Sequence, residues 1–263
     1  MKVIPDTQQE GAVNYAREGG VVRDGLELAG QTLVVIGGSS GIGLETARLA
    51  RDEGAEIIIT ARNADRVHRA GLELGASIAA FDATNFDRLE RFFDKLPAPI
   101  DHVLVACPCP YCPRLADLDV EAARRTIETQ LLLPVQVARN ARGKLRPGGT
   151  LLFTGCTEDD RPAVGLLVSG LSAALRALTK TLALEIAPVR VNLITAGFVD
   201  TPLSAALPGD RLETRREQLR TTLPVRRVVG PADIAALAVH LMSNTTVTGA
   251  TFEIDTGQQR VHT

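Results

Sequence analysis

Apolar residues fall into a regular rhythm from Gln31 onward. Short runs rich in β-branched and aliphatic residues recur at 33–36, 57–60, 77–81, 103–106, 151–154 and 189–194. Their unbroken apolar character marks strands buried on both faces. Between and after them, apolar residues recur at helical spacing over 44–52, 62–74, 86–96, 121–145, 168–186 and 232–242. Punctuation agrees with this division. Pro97 and Pro99 close one helix, Pro147-Gly148-Gly149 turn the chain into the next strand, and Gly230-Pro231 opens the last helix. Buried strands alternating with amphipathic helices predict one parallel sheet with right-handed crossovers and helices on both faces. Ligands then bind beyond the carboxyl ends of the strands, so the residues just after each strand carry the most interest. Residues 1–29 are polar and weakly periodic and read as an N-terminal arm, with a single domain over 30–263. There is no internal repeat, low-complexity tract or linker.

A chain of 263 residues, 45% of them hydrophobic, can bury one large core. The net charge of -2, with acidic and basic residues interspersed, offers no basic field for nucleic acid or an anionic membrane. No stretch of about 18 apolar residues is expected to cross a bilayer, and the N-terminus carries no secretory pattern, so a cytoplasmic protein with a small-molecule partner is expected. Cys107, Cys109 and Cys112 crowd into Cys-Pro-Cys-Pro-Tyr-Cys-Pro and Cys156 stands apart. Four cysteines are too few for a disulfide framework, and this spacing matches no zinc finger, so no metal is expected.

The first strand runs straight into Gly37-Gly38-Ser39-Ser40-Gly41-Ile42-Gly43, and a helix follows. Glycines at 37, 41 and 43 permit a sharp turn and a close approach of backbone to phosphate, with helix N–H groups facing the anion. With the strand and helix on either side, this predicts an α/β Rossmann-type doubly wound fold that holds a dinucleotide pyrophosphate. After the second strand, Ala61-Arg62 takes the place of the acidic residue that would meet a free ribose 2′-hydroxyl, so NADP(H) is expected over NAD(H). Asp82 follows the third strand and is a candidate to hydrogen-bond an adenine or to cap the next helix.

These features resemble the short-chain dehydrogenase/reductase family. The resemblance runs from about Leu28 to Gly257 and rests on the glycine loop, Phe81-Asp82-Ala83-Thr84, Asp101-His102-Val103-Leu104-Val105, Ile127-Glu128-Thr129-Gln130-Leu131, Val189-Arg190-Val191-Asn192, Ala196-Gly197-Phe198-Val199-Asp200-Thr201-Pro202 and the Thr248 to Gly257 segment. It implies NAD(P)-dependent interconversion of alcohols and carbonyls, a homodimer or homotetramer built on the two long central helices, and Ala83, Ala106 and Thr201 beside the cofactor. It also implies a catalytic Asn, Ser, Tyr and Lys, whose positions here are occupied by Gln130, Cys156, Val168 and Ser172. The only tyrosines, Tyr15 and Tyr111, are followed four residues on by Gly19 and Leu115, so no Tyr-x-x-x-Lys exists in the chain. A positioned acid/base group contributes about 10² to 10⁴ in rate. Weak or unconventional redox activity is therefore expected, with Tyr111, Cys156 or Gln130 acting at the site. The alternative is a pseudoenzyme that binds cofactor or other subunits without turnover; thiol chemistry at Cys156 is a third option. His102 is expected to be structural. Arg215, Arg216, Arg220, Arg226 and Arg227, interleaved with Glu213 and Glu217, fall where the family places a substrate lid and read mainly as a self-paired helix.

Overall fold

The computed structural model describes residues 27–106, 114–157, 166–201 and 211–260. Strand and helix alternate as the apolar rhythm predicts: β1 (Thr32–Ile36), α1 (Gly41–Asp52), β2 (Glu56–Ala61), α2 (Ala64–Leu74), β3 (Ser77–Ala80), α3 (Phe86–Lys95) and β4 (Ile100–Val105). Then follow α4 (Val120–Ile127), a π-helical turn (Glu128–Leu132), α5 (Leu133–Ala141), β5 (Leu145–Cys156), α6 (Leu166–Glu185), β6 (Arg190–Ala196), α7 (Arg211–Thr222), α8 (Pro231–Ser243) and β7 (Thr251–Ile254). All pairings in the seven-stranded sheet are parallel, in the order β3-β2-β1-β4-β5-β6-β7. The order reverses between β1 and β4, which opens a crevice at their carboxyl ends.

Side chains alternate across the pleat and feed two core layers. Val34, Ile36, Val103, Leu151, Phe153 and Leu193 pack on the face covered by α3, α5 and α6. Leu33, Val35, Ile59, Leu104, Leu152 and Ile194 pack on the face covered by α1, α2 and α8. Of the N-terminal segment only Glu27–Ala29 are described, and Leu28 is fully buried in the second layer, its amide donating to Glu53 O at 3.0 Å.

Three features differ from the expectation. The periodic stretch 121–145 is not one helix: a π-turn interrupts it, α5 ends at Ala141, and Leu145 already pairs with Ile100. Pro147-Gly148-Gly149 lie within β5, where the register with β4 shifts between Ile100 and His102, and Gly148 takes φ 75° to accommodate the irregularity. Strand β7 went unseen because Thr251-Phe252-Glu253-Ile254 alternates apolar with polar residues at a half-buried sheet edge. The expectation that no stretch is long and apolar enough to cross a bilayer is also corrected. Leu167–Glu185 of α6 reaches a mean hydropathy of 1.2. One face of α6 packs on the sheet through Leu175, Leu182 and Ala183, and a third of that stretch is buried.

The amino ends of the central strands carry a buried polar network. His102 on β4 is fully buried and its Nε2 donates to Gln31 Oε1 at 2.8 Å, an oxygen that also accepts from Arg146 Nη2 at 3.0 Å. Arg146 pairs with Asp101, whose other oxygen accepts from the Thr32 amide at 2.8 Å. Arg190, 5% exposed, donates to the carbonyls of Leu241 (2.8 Å), Met242 (3.0 Å) and Gly148 (3.2 Å) and to the Thr150 hydroxyl. Burial, and secondarily Arg146, pushes its pKa down to about 10. His102 is structural, as expected. Burial, with Arg146 and Arg190 nearby, lowers its pKa to about 3, and among the described residues Nδ1 has no partner to receive a second N–H.

A group that binds protons in the unfolded chain but not in the folded one makes stability rise with pH between its two pKa values. His102 leaves stability flat above its unfolded value near 6.5 and removes it progressively from there down to about pH 3, a total of at most about 5 kcal/mol. Urea unfolding at pH 7 and pH 4 should show a loss about 3 kcal/mol smaller in His102→Gln than in the unmodified protein. Equal losses would exclude the histidine as the source.

Candidate functional site

The chain leaves β1 through a turn that side chains would block. The amides of Gly37 and Gly38 both donate to Thr60 O at 3.0 Å, drawing the loop against the end of β2. A Cβ on Gly37, whose φ is 94°, would lie 2.5 Å from Ala106 O; one on Gly38 would lie 2.6 Å from Ile59 Cγ2; one on Gly43 would lie 2.3 Å from Gly37 O. Gly41 takes φ 55° as α1 begins. Ser40 occupies the N-cap position without a side-chain cap bond, and the first turn of α1 holds no acidic residue. Leading amides of a helix, uncapped and free of negative charge, form an anion site. Gly37, Ser39, Ser40, Gly41, Ile42 and Gly43 thus make a cradle that fits a pyrophosphate.

The other expected cofactor residues stand around the same edge. Arg62 is exposed between β2 and α2, and the cap of α2 is supplied by its neighbour Asn63, whose Oδ1 accepts from Arg66 N at 2.8 Å. Arg62 is thus not the capping residue, and no ion pair is recorded for it among the described residues. Asp82 does not cap α3, contrary to one of its two expected roles. Its Oδ1 accepts from the amide (3.0 Å) and hydroxyl (2.8 Å) of Thr84 in a local turn, while Asn85 caps α3 through a 3.0 Å bond from Arg88 N. Ala83 packs against the core and the Ala106 amide extends β4 by donating to Ile36 O at 2.9 Å. The Thr201 side chain reaches to 3.6 Å from the Cβ position of Gly41, so the exit from β6 lies against the loop.

Gln130, Cys156 and Ser172, far apart in sequence, line one cavity with Gly155, Leu171, Leu175, Leu193 and Thr195. Gln130 and Ser172 are buried and Cys156 is half-buried. Gln130 lies within the π-turn of Glu128–Leu132. Val168 is buried in α6 and does not line the cavity. Tyr111, Cys107, Cys109 and Cys112 lie outside the described residues. Among the described residues no cluster of His, Cys, Asp and Glu is arranged for a metal. Thr195 escaped the sequence reading because the predicted strand stopped at 194; a polar residue continuing an apolar strand was the available signal.

On α7, Arg220 pairs with Glu213 (3.1 Å) and Glu217 (3.4 Å), the self-pairing expected of it. Arg227 makes a two-pronged pair with Asp233 of α8 at 2.8 and 2.9 Å. Arg216 reaches further than expected, holding Glu213 at 3.1 Å and Asp200 at 2.7 Å. It thereby ties α7 to the residue next to Thr201. Gln258 closes the same exit loop, its Oε1 accepting from the Phe198 amide at 3.0 Å.

The doubly wound sheet with an anion cradle at its switch point defines a nucleotide-binding α/β protein. A family model described as enoyl-(acyl carrier protein) reductase matches residues 36–259. The cis-4-hydroxycyclohexanecarboxylate dehydrogenase of Sinomonas cyclohexanicum is 32% identical, over 90% of this chain and 100% of that one. The NADP-dependent (R)-specific alcohol dehydrogenase of Lentilactobacillus kefiri is 28% identical, over 88% and 97% respectively. Among solved structures, the MalC reductase/Diels-Alderase of Malbranchea aurantiaca superposes with a TM-score of 0.80 at 26% identity, covering 89% of this chain and 97% of that one. The chain belongs to the short-chain dehydrogenase/reductase family, a family of oxidoreductases.

The loop's dependence on missing side chains is measurable. Gly43→Ala sets a methyl against a fixed backbone carbonyl and should cost about 1–3 kcal/mol of stability. Gly143→Ala, with nothing within 4 Å of its Cβ position, should stay within about 0.5 kcal/mol of the parent. Denaturant midpoints for the pair check the contrast, which equal losses would contradict.

Proposed function

We propose that the chain binds NADP(H) and acts as a slow oxidoreductase on a small-molecule carbonyl or alcohol. The observation that carries this reading is the glycine cradle at the uncapped start of α1, with an exposed arginine and no carboxylate at the end of β2. The NADP dependence of the Lentilactobacillus kefiri relative supports the same choice. Bound NADPH supplies hydride. The residues of this chain bind and orient: the 37–43 loop holds the pyrophosphate, Arg62 meets a ribose 2′-phosphate, and Asp82, Ala83, Ala106 and Thr201 bound the rest of the cofactor site. At the reacting end, the Gln130 amide and the Cys156 thiol are neutral donors toward a carbonyl oxygen, the thiol a weak one. Val168 has no proton to give, and the Ser172 hydroxyl carries no charge to lower a neighbour's pKa. The proton comes from water or from Tyr111. Turnover is slow because no pair equivalent to Tyr-x-x-x-Lys is present.

The same absence favours a second reading, in which the chain binds cofactor without turnover and serves as a pseudoenzyme. Calorimetric titration with NADPH and NADH, followed by a carbonyl panel, separates the two. Tight NADPH binding with measurable oxidation supports the first, and binding without oxidation the second. Loss of both ligands would refute cofactor binding. A charge-assisted hydrogen bond contributes about 1.5–3 kcal/mol, so Arg62→Ala should weaken NADPH about 10- to 100-fold and leave NADH nearly unchanged. If turnover exists, its abolition in Tyr111→Phe identifies that tyrosine as the donor, and its persistence assigns the role to water.

Within this reading the protein is cytoplasmic, residues 1–29 are an arm on a single domain, and copies associate through α4 and α6. Val120, Ile127 and Leu132 on the α4 segment and Leu184 on α6 are exposed apolar residues that association would cover. Light scattering should give a dimer or tetramer for the parent and a smaller species for Ile127→Glu with Leu184→Glu. A monomeric parent would contradict the assembly.

A further inference from the structure

The cavity bounded by Gln130, Cys156, Ser172 and Thr195 has a wall that is chemically unfinished. Thr195 on β6 is fully buried, and among the described residues its hydroxyl oxygen has no hydrogen-bond partner. Leaving a buried hydroxyl without a partner costs about 1–3 kcal/mol. The space it lines measures about 10 Å³, the lower bound of what accommodates a single water. The lining combines the hydroxyls of Thr195 and Ser172 and the amide of Gln130 with the apolar edges of Leu171, Leu175 and Leu193. None of the lining side chains bears a formal charge in its ordinary state, so the complementary ligand is a small neutral molecule that both donates and accepts hydrogen bonds. Among the described residues that line it, a cation finds no carboxylate and an anion no ammonium or guanidinium.

The sequence explains how the space arises. Ser172 stands where the family resemblance implies a lysine, and a serine ends three carbons short of that chain. On the neighbouring strand β5, Gly155 has no side chain to project into the space, and a Cβ there would be crowded, 3.2 Å from Leu175 Cδ2 and 3.8 Å from Thr195 Cγ2. Gln130, held buried by the π-turn, closes another side. What remains is a polar gap too small for a ligand larger than a few atoms.

We propose that this cavity is a binding site for one water molecule, which bridges the Thr195 and Ser172 hydroxyls and links β6 to α6. The water satisfies the Thr195 oxygen and receives the hydrogen bonds needed to hold it in an otherwise apolar wall. It is a fixed constituent of the fold, present with or without cofactor, and does not depend on the function proposed above.

The sign of one thermal shift tests it. Thr195→Val keeps the shape and deletes the hydroxyl. With a bound water, the variant loses an anchor and leaves the water's other contacts unmet, and the midpoint falls by about 2–4 °C. In a dry cavity the substitution removes an unsatisfied polar atom, and the midpoint rises or stays unchanged, overturning the proposal. Ser172→Ala and the double variant complete a cycle. A shared water makes the two losses non-additive, the double costing less than the sum, whereas additive losses overturn the bridge. Should the valine variant fail to fold, a high-resolution crystal structure of the unmodified protein decides. Solvent density within about 3.2 Å of both hydroxyl oxygens supports the site, and its absence overturns it.

Discussion

Everything at the functional edge depends on how closely the chain can fold back on itself after β1. Two successive amides, those of Gly37 and Gly38, converge on one carbonyl at the end of β2. The turn this creates is so tight that three of its residues have backbone or core atoms within 2.6 Å of any added Cβ. Because the loop hugs β2 and β4, α1 starts directly above the switch point with its leading amides aimed outward. The same closeness presses Ala106 beneath the loop and lets Thr201 reach it from β6. A side chain at Gly37, Gly38 or Gly43 would separate these parts together, so the anion cradle and the convergence of strand ends are one structural fact.

The opposite end of the sheet is built on different chemistry. There Arg190 gathers carbonyls from the end of α8 and the β5 irregularity, and His102, Gln31, Arg146 and Asp101 join the leading ends of β1, β4 and β5. Asn192 adds a double contact, donating to Val247 O at 2.9 Å and accepting from the Ala250 amide at 3.1 Å, which holds the lead-in to β7. The Val-Arg-Val-Asn run therefore serves assembly of the sheet. At the carboxyl edge, in the described part of the chain after β6, Arg216 of α7 pairs with Asp200.

The cavity beside β5 and β6 is walled by neutral side chains. Gln130 sits inside the π-turn that joins α4 to α5. Neither Ser172 nor Val168 holds a titrating proton in the physiological range. Gln130, Cys156, Ser172 and Thr195, which line this cavity, bear no formal charge in their ordinary states.

The sequence by itself determined the fold class, the strand and helix alternation, the glycine cradle and the missing Tyr-x-x-x-Lys. These are written in local periodicity, in glycines whose need is steric, and in residue types that can be counted. It did not determine that the 121–145 stretch divides around a π-turn, that Pro147-Gly148-Gly149 are absorbed as a bulge inside β5, or that Thr251–Ile254 completes the sheet. Nor did it show that Asn85, and not Asp82, caps α3. Each of these is decided by which partner an amide or strand edge finds across the sheet. The resemblance groups Gln130, Cys156 and Ser172 in one set, but that Thr195 joins them in a single cavity is of the same kind. They come from four elements, and only the packing of α6 and the π-turn over β5 and β6 gives them a common space.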